Sequence, residues 1–307
     1  TADPPPPPPP QPVSDEEEAA SREAAIRDLV DGEARVDLAK LRASALAGLP
    51  AQVRADVWMY LLGVKGSEKA DDDAAARRLE TEFADRVRRV DPDDALARRI
   101  KMDARRRVQR EPAGAVPGAA GAMVDRYWHV VALFLADSDL DYCAEMVSLL
   151  EPFLSVFQHE WCVLACFRAF MERHRHMFNP QGLTRATGNF LAILRHALPE
   201  VVEHLESEEV DPSRWAHQWL QGLLVKQMST ENVLRLWDAY LAGDHGLDFH
   251  PYVCVALVEA VQEELLEADG VEVLTLLQQV PTRGLEISHL LAKAKNVRDD
   301  TLGQGIL

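Results

Sequence analysis

Apolar residues recur at three- and four-residue steps through nearly every ordered-looking segment of this chain, and no run alternates apolar with polar residues between turn signals. A step near 3.6 lets a helix bury one stripe, whereas a half-buried strand needs a step of two. The fold class that follows is all-α. Val253, Ala256, Leu257, Ala260, Val261 and Leu265 form one such stripe, which Gly270 is expected to stop. Asp211-Pro212 places a capping carboxylate before a proline at a first helical position, predicting a helix that carries Trp215, Trp219, Leu220 and Leu223. Gly243 is expected to close the helix containing Trp237, and Ser14 with Glu17 has capping-box spacing, so a helix should start there. Trp58, Trp215, Trp219 and Trp237 each fall on an apolar stripe and are expected to anchor the core.

The 307 residues, 47% hydrophobic and 27% charged, suffice for a large core in one large domain or two smaller ones. A net charge of -17 repels nucleic acid phosphates and anionic headgroups, so nucleic acid is not an expected partner. The four cysteines show no CxxC pair, which fits free thiols in a reducing compartment. No apolar run approaches the roughly 20 residues that span a bilayer, and the start lacks a signal-peptide pattern. Direct membrane insertion is therefore not expected, and a cytoplasmic location is. Pro4 to Pro10 is an unbroken proline run suited to polyproline II geometry. Residues 1–13 are read as a disordered proline-rich leader and 14–300 as the folded domain.

Basic residues gather at Arg98, Arg99, Lys101, Arg105, Arg106, Arg107 and Arg110. Such a run usually makes a solvated helix face or ion pairs with nearby carboxylates. Asp103 lies three residues before Arg106, within reach on one helix face. Residues 111–121 hold two prolines and three glycines and are predicted to form a loop, leaving Arg106 near the end of its helix. His159, Cys162 and Cys166 share a helix face, yet no second ligand pair with zinc spacing accompanies them, and buried core thiols are the expectation. No metal site is expected. The chain has no G-x-x-x-x-G-K-[ST] loop for holding phosphates itself.

Two short motifs stand out: Ile100-x-x-Asp103-x-x-Arg106, then Tyr142-Cys143-Ala144-Glu145-Met146. They resemble the two finger motifs of the TBC domain, the GTPase-activating family for Rab-type GTPases, whose patterns are I-x-x-D-x-x-R and Y-x-Q-G-M. Gly48-Leu49-Pro50, Val53-Arg54, Val57-Trp58 and Leu61-Leu62-Gly63 are similar to the family's opening, and His204-Leu205, Trp215, Trp219 and Val233-Leu234-Arg235-Leu236-Trp237-Asp238 to its close. The resemblance runs in the family's order over roughly residues 45 to 280.

The resemblance implies a two-lobed, all-helical domain with a groove between lobes that takes a Rab-type small GTPase as partner. It places Arg106 at the arginine-finger position and Asp103 as the carboxylate that orients it. Ile100, Tyr142 and Met146 are implied to meet the GTPase. Ala144 and Glu145 stand where the family has its water-positioning glutamine and the following glycine, and Arg107 and Gln109 replace the usual threonine and proline. An arginine finger supplies about 10³ to 10⁵ in rate by placing positive charge on the transferring phosphoryl group. Alanine orients no water, and Glu145 is expected to add bulk and negative charge beside the nucleotide. The expected protein binds a Rab-type GTPase but activates it weakly or not at all. The alternatives are an active GTPase-activating protein working through Arg106 alone and a helical scaffold that touches no GTPase. No cofactor of its own is expected; GTP and Mg²⁺ would belong to the partner, which could also recruit the chain to membranes.

Overall fold

The computed structural model describes residues 15–32, 35–68, 72–91, 94–109, 119–280 and 284–306. The proline-rich leader, Ser14 and residues 111–118 of the expected loop lie outside the described residues. The first half of the chain gives helices α1 (Asp15–Asp31), α2 (Leu38–Leu46), α3 (Ala51–Leu61), α4 (Asp72–Val87), α5 (Ala95–Val108), α6 (Ala119–Ala136), α7 (Glu145–Val156) and α8 (Glu160–His174). The second half gives α9 (Pro180–Ala197), α10 (Pro199–Ser207), α11 (Ala216–Gly222), α12 (Thr230–Ala242), α13 (His250–Ala260), α14 (Gln262–Glu267), α15 (Gly270–Gln278) and α16 (Ile287–Gly303). Among the described residues the only β feature is an isolated antiparallel bridge between Arg35 and Glu68. The all-α expectation holds. No described helix is long and apolar enough to cross a membrane.

Short polar side chains set the starts of α2, α5, α9, α12 and α15, because they satisfy backbone N–H groups that have no partner within the helix. Asp37 accepts from the N–H of Ala39 and of Lys40, and Asn179, just ahead of Pro180, accepts from that of Gly182. Gly243 closes α12 as expected. Four local expectations are corrected. Gly270 opens α15 rather than stopping a helix, since Asp269 and Glu272 complete a capping box around it. The stripe before it is broken at Val261, which separates α13 from α14. The segment after Asp211 forms only a single 3₁₀ turn, Pro212–Arg214, because the Asp211 carboxylate takes both the N–H and the hydroxyl of Ser213; the α-helix begins at Ala216. Residues 119–121, expected in the loop, are the first turn of α6, where two alanines favour helix and an apolar stripe follows.

All four anchoring tryptophans are fully buried. Trp237 stacks on Phe170 at 4.6 Å between ring centroids, and Phe153 meets Trp58 and Trp237 edge-on at 5.6 Å each. This aromatic cluster lies where α7 packs on α11 and α12 and where α12 packs on α2 and α3, joining the two halves of the chain. Asp238, with no exposed surface, fixes that junction. Its carboxylate accepts from the Leu49 N–H at 2.9 Å, from Trp58 Nε1 at 2.8 Å and from Arg54 at 3.1 Å. Every neighbour is a donor, the arrangement an ionised carboxylate satisfies. Gly48 permits the approach: its φ is +97°, and a Cβ there would stand 2.7 Å from the Arg235 side chain.

Two buried histidines make stability pH-dependent. Burial pushes the His174 pKa down to about 3 and that of His250 down to about 4. Both are therefore neutral when folded, and the unfolded chain binds the extra protons as pH falls below the ordinary histidine value. Their contribution is present above about pH 6.5 and is lost as pH falls toward the folded values, by about 2 kcal/mol each at pH 5. Chemical unfolding at pH 7 and pH 5 is expected to show this loss, and His174→Gln with His250→Asn to flatten it. A folded-state NMR titration of either ring centred near pH 6.5 would contradict the assignment.

Candidate functional site

Helix α5 buries Ala97, Ile100 and Ala104 and turns Arg98, Arg99, Met102, Arg105, Arg106 and Gln109 outward. Its last turn carries Arg105, Arg106 and Arg107, where cations complement the helix dipole. The Arg106 side chain is 68% exposed and donates from Nη1 to Asp103 Oδ1 at 3.3 Å. Asp103 is shared: its Oδ2 accepts from the Tyr142 hydroxyl at 2.7 Å. Burial, and then the hydrogen bond to Asp103, pushes the Tyr142 phenol well above its ordinary pKa, which keeps it a donor. The Arg99 guanidinium lies over the Tyr142 ring, 5.2 Å from its centroid. Asp103, Arg106 and Tyr142 are thus brought together by one carboxylate.

Arg107 points the other way. It pairs with Glu151 of α7 and donates from Nη2 to the Val225 carbonyl at 3.3 Å. Val225 belongs to the connection from α11 to α12, which begins with Leu223 and Leu224 at φ +49° and +62°. Two successive non-glycine residues in the left-handed region cost about 1–3 kcal/mol each and persist where the surroundings over-determine them. The end of α11 is held just upstream, His250 Nε2 bonding the Trp219 carbonyl and His174 Nε2 the Gln221 carbonyl, each at 2.9 Å.

Ala144 is exposed immediately before α7 and makes no side-chain cap. Glu145 opens that helix. The sequence places its carboxylate beside a partner's nucleotide; the structure turns it inward, where Oε1 accepts from Lys226 Nζ at 2.5 Å, with side chains only 16% and 21% exposed. Glu145 Oε2 is buried without a hydrogen-bond partner among the described residues, 3.2 Å from where a Cβ on Gly222 would stand. The negative charge at this position is therefore compensated within the chain.

Ile100 and Met146, expected to meet a GTPase, have no exposed surface. They support the site from the core beneath it. Tyr142 remains partly exposed.

A family profile described as the Rab-GTPase-TBC domain matches residues 51–266, well over half of the chain. The chain belongs to the Rab-GTPase-TBC domain family. It is 25% identical over 299 residues to the GTPase-activating protein gyp1 of Schizosaccharomyces pombe, covering 84% of this chain and 57% of that protein. TBC1 domain family member 13 of Homo sapiens is 29% identical over 140 residues, which cover 44% of this chain and 34% of that protein. The chain thus spans 57% or less of these relatives' lengths. In structure it is similar to the Ypt/Rab-GAP domain of Gyp1p, with a TM-score of 0.75 at 16% identity, covering 91% of this chain and 97% of that one. It is also similar to the TBC domain of a Chlamydomonas flagellar RabGAP, with a TM-score of 0.68 at 19% identity, covering 90% and 91%. These likenesses establish the TBC fold.

Within the TBC domain, sequence reasoning missed three residues of the site. Met102, 45% exposed, stands one helical turn before Arg106 and extends the outward face with an apolar contact. A helical wheel would have found it. Lys226 and Glu151 carry no local signal, lying 81 residues from Glu145 and 44 from Arg107 respectively. Cys162 and Cys166 are buried free thiols that belong to the core.

Proposed function

We propose that this TBC domain binds a Rab-type small GTPase and stimulates its GTP hydrolysis weakly or not at all, acting as an effector or scaffold. The observation that carries the reading is Ala144, exposed at the head of α7 with no group able to orient water. Arg106, exposed and hydrogen-bonded to Asp103, is the candidate cation for the transferring phosphoryl group. GTP and Mg²⁺ belong to the partner, and recruitment to a membrane follows the partner rather than this chain. Tyr142 and Met102 supply contact surface beside Arg106.

A second reading, an active GTPase-activating protein in which the partner orients its own water, is favoured by the exposure of Arg106. Single-turnover hydrolysis across a Rab panel separates the two. The expected result is binding that prefers the GTP-loaded state with little rate increase. Acceleration above about 10³-fold, the lower end of what an arginine finger delivers, would establish the second reading, and Arg106→Ala should then abolish it. Binding that ignores the nucleotide would leave only a scaffold.

A further inference from the structure

The proposal here rests on the reading that Arg106 is the group offered to the partner. Arg106 does little to hold itself: its side chain is largely exposed, and its bond to Asp103 is long. Its neighbour is held firmly. Residue 107 lies about 100° further round the helix, and its side chain, 17% exposed, bonds both Glu151 of α7 and the Val225 carbonyl. One residue beyond Val225, Lys226 pairs with Glu145 at the start of the same α7. The Arg107–Val225 hydrogen bond and the Lys226–Glu145 ion pair therefore tie one short connection to two helices at once, α5 and α7. That connection enters through the left-handed pair Leu223 and Leu224, both fully buried, a conformation that needs external restraint.

We propose that Arg107 is a positioning residue: it locks the last turn of α5 against α7 and the 223–226 connection, and so fixes the direction in which Arg106 leaves the helix. The planar fork is required, because one guanidinium must serve a carboxylate and a carbonyl on separate elements, which a lysine ammonium of different reach and shape does not reproduce.

Hydrogen exchange on the full chain tests the lock without any partner. Arg107→Ala and Arg107→Lys are both expected to speed amide exchange in residues 104–109 and 223–228 by about 10-fold, as loss of a charge-assisted hydrogen bond implies. Exchange in α13 and α16 should stay as it is. Glu151→Gln, which keeps the shape and removes the charge, should give a smaller change in the same two segments. Unaltered exchange at 223–228 in Arg107→Ala would overturn the proposal.

The positioning role is tested by coupling, using a recombinant Rab-type GTPase loaded with a non-hydrolysable GTP analogue. Arg107→Ala should weaken binding in the unaltered chain and have no further effect once Arg106→Ala is present. If its penalty persists in full without Arg106, Arg107 acts on the partner directly and the positioning role is overturned. If no GTPase in the panel binds the unaltered chain, the functional reading fails, and exchange at 223–228 decides the lock by itself.

Discussion

Asp238→Ala is expected to destabilise the fold by about 3–5 kcal/mol, the usual penalty for removing one partner of a buried ion pair. The side chain is fully buried and receives the Leu49 N–H, the Trp58 indole and the Arg54 guanidinium. Alanine would leave the Leu49 N–H and the Trp58 indole inside the junction between the two halves of the chain without an acceptor, and Arg54 with the Leu49 carbonyl but no counter-charge. Urea unfolding followed by tryptophan fluorescence provides the measurement, since Trp58 and Trp237 stack at that junction. Asp238→Asn should lose less, because the amide keeps one acceptor while giving up the charge. A loss below about 1 kcal/mol, the scale of an exposed ion pair, would show that water or a neighbouring side chain readily replaces the carboxylate.

The second large effect concerns activity. Ala144→Gln with Glu145→Gly rebuilds Y-x-Q-G-M between Tyr142 and Met146 and is expected to raise single-turnover hydrolysis on a bound Rab-type GTPase by about 10² to 10³, the worth of one positioned polar group at a reacting centre. Arg106→Ala in that background should remove the gain. Ala144→Gln alone should fall short because Glu145, held inward by Lys226, denies position 145 the backbone freedom of glycine, and Glu145→Gly alone because nothing then orients water. The structure adds a condition. Removing Glu145 strands Lys226, which is mostly buried against it, so the double substitution is also expected to loosen the 223–226 connection. Adding Lys226→Ala removes the unpaired charge, and the hydrolysis gain should then survive or grow. Inactivity of both versions with binding intact would mean that Arg106 does not reach the nucleotide.

The Asp103 to Arg106 bond was legible because three residues nearly complete one turn, so helix geometry alone brings them together. The burial of the tryptophans was legible for the same reason. The burial of Ile100 is legible in the same way, since Ala97, Ile100 and Ala104 share a face, whereas the motif it belongs to points to contact with a partner. At Gly270 the capping box of Asp269 and Glu272 prevails over the stripe running toward it, so the glycine opens a helix. Glu145 could not have been placed at all. A carboxylate after Tyr-Cys-Ala reads as negative charge at the site until Lys226, 81 residues on, is known to neutralise it.

By itself the sequence determined the helical class, the close of α12 at Gly243, the burial of the tryptophan anchors and the motifs that join this chain to its family, because period and capping act within a few residues and need no knowledge of the rest. Only the tertiary structure decided which charges meet across elements. Arg107 with Glu151 and Val225, Glu145 with Lys226, Tyr142 with Asp103, and Asp238 with Arg54 are all made across packed elements. Their partners are selected by how the helices dock, a choice that no local spacing records.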